Sequence, residues 1–173
     1  KERSIGKVCE SSSKEIIIKM NFDEFENNKK DLKIGNYLKI QLGNCNYSFV
    51  VIKGIKAMSF EDLNGEQIRD KYFINVYPIG TLEGDEFISG SPVLPSPTEE
   101  VFTVSKEELE QIFSIKSKSL FSLGKLSQNE ELEIKLDGDS FFSKHIGIVG
   151  STGSGKSCTV AKILQEVVGI REE

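Results

Sequence analysis

The chain has 173 residues, room for one ordinary domain or for a small domain with part of another, which excludes a large multidomain enzyme. Hydrophobic residues make up 38% and charged residues 28%, close to globular averages, so neither disorder nor a membrane protein fits. The longest apolar runs, Phe49 to Ile52 and Ile16 to Ile18, fall far short of the roughly 20 residues that cross a bilayer.

The formal net charge of −5 is unevenly spread. Residues 1–57 carry 11 basic and 7 acidic side chains, residues 58–115 carry 3 and 12, and residues 116–173 carry 8 of each. An acidic middle third repels a polyanion, so this segment is a poor DNA-binding candidate; it reads as a solvated face or as a surface for another protein. Three cysteines (Cys9, Cys45, Cys158) and one histidine (His145) exclude a zinc ribbon and argue against a disulfide framework. Cytoplasmic residence, with no membrane segment, is the expectation. Residue 1 is Lys rather than Met, and the chain is read as a piece of something longer.

From Ser4 to about Val93 the pattern is one of short strands, with no helix-period segment of useful length. Ile16, Ile18 and Met20 alternate with Ile17 and Lys19; Leu38, Ile40 and Leu42 alternate with Lys39 and Gln41; Tyr47 to Ile55 is rich in aromatic and β-branched residues. Gly43 to Asn46 is a hairpin-length loop, Asn64-Gly65 is a turn signal, and Gly80, Gly84 and Gly90 break the region after Tyr72 to Ile79. Half-buried strands this short must hide their edges, and a small antiparallel β-barrel over residues 1–95 does so. Pro92, Pro95 and Pro97 then mark a connector, assigned to 96–119. Within it, Ser105 and Glu108 have capping-box spacing and Leu109, Ile112 and Phe113 recur at helical intervals, predicting a short helix. Leu120 to Leu126 and Leu132 to Leu136 read as a strand pair followed by a turn at Asp137-Gly138.

Residues 120–173 change character. Ile146 to Val149 form a short apolar run that predicts a buried parallel strand, and Gly150 to Ser157 read GSTGSGKS, matching G-x-x-x-x-G-K-S/T at every fixed position. Val160, Ile163, Leu164, Val167 and Val168 then lie at i, i+3, i+4, i+7 and i+8, the spacing of an amphipathic helix. Strand, Walker A loop and helix are the expected start of an α/β P-loop NTPase domain. Gly150, Gly153 and Gly155 are expected at positive φ and to let the backbone approach phosphates without a Cβ in the way. Amides from about Thr152 through Ser154 to Cys158, with the positive end of the helix dipole, face a triphosphate, and Ser151 and Thr159 flank them. Lys156 is assigned to the β and γ phosphates as the catalytic cation and Ser157 to Mg²⁺, which makes ATP with magnesium the expected ligand. Cys158 reads as a small residue packed at the helix start and His145 as a local structural contact. Only a single helix follows Ser157, so a Walker B acid and an arginine finger are expected elsewhere, and this fragment alone is expected not to turn over ATP.

The order of parts resembles the amino-terminal portion of the HerA family of prokaryotic ATPases. It rests on a small barrel, the connector with Pro92, Val93, Leu94 and Pro95, a short acidic helix, LGKL at Leu123 to Leu126, and KHIGIVGSTGSGKS at Lys144 to Ser157. In that family a HAS-barrel precedes a RecA/FtsK-like motor. The resemblance implies a homohexameric ring that uses ATP to move double-stranded DNA through its pore. It also implies a nuclease or a sirtuin-like NAD-consuming effector docked on the barrel, in some members as part of antiviral defence. Two further readings stay open: a nucleotide-locked ring that serves mainly to hold and activate its effector, and a rotary-type ATPase, against which the connector and LGKL argue.

Overall fold

Inward-facing aliphatic residues at every second position draw the first strands around a common core. The computed structural model describes residues 2–12, 15–43, 46–61, 67–84, 86–90 and 93–170; the Asn64-Gly65 turn and Pro92 lie outside them. Two compact units result, Lys1–Gln111 and Ile112–Glu173.

The first unit holds β1 (Gly6–Ser11), β2 (Ile16–Asn21), β3 (Tyr37–Leu42), β4 (Asn46–Glu61), β5 (Gln67–Glu83), β6 (Glu86–Ser89) and β7 (Glu100–Thr103). Neighbours run β2-β1-β7-β3-β4-β5-β6, all antiparallel, and a further β2–β5 pairing closes six of them into a barrel. Closure removes the free edges that such short strands would otherwise present. The seventeen-residue β5 carries β2 along Lys71–Val76 and β6 along Gly80–Glu83, so β6 stands outside the barrel. Three register shifts interrupt its pairing with β4, irregularities of the kind that locally increase strand twist.

Ile16, Ile18, Met20, Leu38, Ile40, Val50, Ile52, Ile74, Val76, Val8 and Val101 are each at most 2% exposed. Burying an aliphatic side chain of this size is worth about 1.5–3 kcal/mol, so this interior is the dominant stabilising term of the unit. The helix α1 (Phe22–Asn27), too short to announce itself by periodicity, adds Phe25, which stacks on Tyr72 with centroids 3.7 Å apart. The remaining stave, β7, comes after the three prolines in the stretch that the sequence reads as connector. Pro95 is buried, and Thr98 turns the chain at φ +80° while its N–H donates to the Val8 carbonyl (2.8 Å). That turn delivers Val101 and Phe102 to the wall between β1 and β3. Gly80, read as a strand breaker, is inside β5: a Cβ there would meet the Phe87 ring at 2.5 Å and the Ile88 carbonyl at 2.6 Å, so its small size is what admits β6.

The predicted capping box is formed in full at α2 (Lys106–Phe113). The Ser105 N–H donates to Glu108 Oε2 (2.8 Å) and the Glu108 N–H to Ser105 Oγ (3.2 Å).

In the second unit β8 (Leu120–Leu126) and β9 (Asn129–Asp137) form the expected antiparallel pair. Asp137-Gly138 is not a simple turn: it opens the short helix α3 (Gly138–Phe142), whose Phe141 and Phe142 pack on buried Phe121. The last helix, α4 (Lys156–Ile170), packs on β8 through one side, where Ile163 is 8% exposed. The predicted strand at Ile146–Val149 is not formed: these residues pair with no strand among those described, and Val149 is 96% exposed. A strand is defined by its neighbour, and β8 and β9 pair only with each other. No helix among the described residues is long and apolar enough to cross a membrane.

Candidate nucleotide-binding site

The loop Gly150–Ser157 is shaped by its glycines, though not all in the same way. Gly153 (φ +80°) and Gly155 (φ +85°) adopt the left-handed conformation that residues with a Cβ avoid. Gly150 does not; its requirement is space, since a Cβ there would lie 2.5 Å from Ser154 Oγ. The expectation of positive φ at all three is corrected accordingly: Gly150 lets the loop fold back over its own start, while the other two turn the chain into the helix. The Ser154 N–H donates to the Ser151 carbonyl (3.2 Å) and closes this turn.

α4 begins at Lys156, and the Thr159 N–H donates to the Gly155 carbonyl (2.9 Å), the first bond of the helix. The amides of Lys156, Ser157 and Cys158 precede that bond and are the donors which a helix start leaves without intrahelical partners. Thr159 is different: its N–H is committed to the helix, and its hydroxyl also donates to Gly155 (3.1 Å). Lys156 folds back over the loop, its ammonium 2.5 Å from the Ser151 carbonyl. The result is a run of backbone donors at the positive end of a fifteen-residue helix, with the Lys156 ammonium beside it. That combination of a space reserved by glycine, unsatisfied amides and one ammonium fits a polyphosphate.

Ser157 is exposed beside Lys156, where a hydroxyl is free to reach a cation held by the phosphates. Among the described residues, no group of three His, Cys, Asp or Glu stands close enough to hold a metal unaided. Cys158 is free and exposed rather than packed. His145 lines an open cleft of about 530 Å³ with Ile115, Leu136, Phe141 and Ile146.

Two carboxylates of the second unit are held by hydrogen bonds. Glu166, bonded first to Lys162 one turn earlier on α4 and also to the Ser122 N–H on β8, sits below the usual carboxylate range. Asp137 is likewise held low by hydrogen bonds from Ser117 and Ser140, which tie the end of β9 to the start of α3. Neither was singled out from the sequence, because both pairings depend on where the hairpin and helices lie.

The region around this loop is similar in sequence to known proteins. A family model described as "Helicase HerA, central domain" matches residues 121–172, which take in β8, β9, α3, the loop and α4. A probable helicase of Methanocaldococcus jannaschii, MJ1565, is 29% identical over 154 residues; the alignment covers 80% of this chain and 29% of the relative. The chain therefore spans less than a third of the length of the curated relative it matches. The central-domain match falls on the loop and its supporting hairpin, and over these residues the chain is similar to the HerA helicase family.

Proposed function

We propose that this chain contributes the barrel and the nucleotide-binding loop of an ATP-driven double-stranded DNA translocase that works in the cytoplasm as a homohexameric ring. The observation that carries the reading is the loop itself: two left-handed glycines, three helix-start amides and Lys156 arched over them. ATP held with Mg²⁺ would supply the cleavable phosphoanhydride whose energy drives movement.

This chain's own residues then have separable roles. Gly150, Ser151, Thr152, Gly153, Ser154 and Gly155 wrap the triphosphate with backbone, and the amides through Cys158 add the positive end of α4. Lys156 exchanges the Ser151 carbonyl for phosphate oxygens, a stronger, charge-assisted acceptor. The Ser157 hydroxyl would hold the Mg²⁺ that accompanies the nucleotide. Thr159 supports the site through the first helical bond rather than by a free amide. The barrel, with its own closed core, is the surface on which a nuclease or another effector docks.

The test is ATP turnover by the complete protein with and without duplex DNA. The reading predicts DNA-stimulated hydrolysis that Lys156→Ala and Ser157→Ala abolish. Unchanged turnover in Lys156→Ala, or a stable monomer in the presence of ATP and magnesium, would overturn it.

A further inference from the structure

Lys39 is a lysine in an unexpected place. It sits in the middle of β3 between Leu38 and Ile40, which face the barrel interior, so its own side chain leaves through the outer wall. There it is nonetheless only 4% exposed. An ammonium out of water is strongly unfavourable unless its charge and all its donors are met, and a well-packed apolar residue would serve the wall as well. Lys39 is met: Glu108 Oε1 lies at 2.5 Å, the Glu2 carboxylate at 2.8 Å, and the Tyr47 ring centroid at 5.1 Å. Burial by itself pulls the lysine down, but the hydrogen bonds and charges of Glu108 and Glu2 outweigh it and leave the group above its ordinary value.

Glu108 has two tasks at once. One oxygen holds Lys39, and the other accepts the Ser105 N–H in the capping box that starts α2. The next residue, Leu109, is buried. The first compact unit ends at Gln111, three residues after Glu108, while α2 runs on to Phe113. A single carboxylate thus joins the barrel wall, the cap of the linker helix and the place where the chain leaves the barrel.

We infer that Lys39 and Glu108 form an ionic latch that fixes where α2 starts on the barrel wall, and that opening this pair releases α2 while the barrel stays folded. Lys39 is in this sense a positioning residue. Its position in the outer wall separates it from the interior core, so loss of the latch and loss of the barrel are distinguishable events.

Amide hydrogen exchange followed by mass spectrometry on the 173-residue chain decides this, because it reads α2 and the barrel strands separately. Lys39→Met keeps the stem and removes the charge; the amides of α2 are expected to exchange about tenfold faster or more, with β2, β4 and β5 protected as before. Glu108→Gln, which keeps an oxygen for the Ser105 N–H, is expected to act in the same direction, so the conclusion does not depend on one variant folding. Ser105→Ala, which removes the hydroxyl of the cap but not the ion pair, is expected to loosen only the first turn. Unchanged exchange of α2 in both charge variants would overturn the latch. Parallel loss of protection across the barrel strands would overturn it too, because Lys39 would then be part of the wall's stability and nothing more.

Discussion

The barrel and the unit that follows it dispose of their apolar residues in opposite ways. In the barrel, the inward side chains of six strands fill one interior and are at most 2% exposed. In the second unit, Ile163 is buried, but Leu164 (58%) and Val168 (61%) on the same helix stand in solvent, as does Val149 before the loop. A closed sheet satisfies its own edges and faces; a two-stranded hairpin with the short α3 and one longer helix covers only part of the broad apolar stripe of α4. The barrel is closed on itself, whereas part of the apolar stripe of α4 lies open.

The largest loss of stability is expected inside the barrel. Ile52→Ala removes a fully buried side chain that nothing can replace, and thermal or denaturant unfolding of the first unit should lose about 2–5 kcal/mol. Gly80→Ala comes next. The added Cβ would press on the Phe87 ring and on the Ile88 backbone carbonyl, so a cost of about 1–3 kcal/mol is expected, with faster amide exchange in β6 and little change in the six closed staves.

The second unit offers gentler perturbations. Asp137 is held below the ordinary aspartate value by Ser117 and Ser140, so its contribution is present above that value, near pH 3.8, and is lost as the pH falls through the depressed one. Acid should therefore loosen the β9–α3 corner, and Asp137→Asn should flatten that dependence, as followed by exchange of the α3 amides across pH 2–5. Leu164→Ser should be the mildest change, within about 0.5 kcal/mol, because the side chain is already exposed. A large loss there would mean that this face of α4 is already covered, and the contrast between the two units would disappear.

The parts of this structure that could be read in the sequence are those that local physics specifies. Ile16, Ile18 and Met20 alternate because a pleated strand faces two ways, and Ser105 with Glu108 announces a helix start because its orphan amides need acceptors. The motif at Gly150–Ser157 was legible because a lysine and positive-φ glycines at fixed spacing have few other uses. Elements that depend on distant partners were not. In β7, Val101 and Phe102 are adjacent and both buried, one toward each face of the wall, so no alternation marks it. Ile146–Val149 has a strand's composition but lacks a strand beside it. Lys39 occupies the outward position of its strand, which the sequence alone assigns to solvent; only the placement of Glu2 and α2 over it turns that position into a buried one. Of the two properties expected of Gly150, the missing Cβ is the one the loop uses and a positive φ is not.

The most direct measurement is calorimetric titration of Mg·ATP into the complete protein and into its Lys156→Ala variant, with far-UV melting of both. The account predicts that the substitution weakens binding by about a hundredfold or more while the melting of the barrel is unchanged. Equal affinity in the two proteins, or a barrel that melts earlier in the variant, would contradict it.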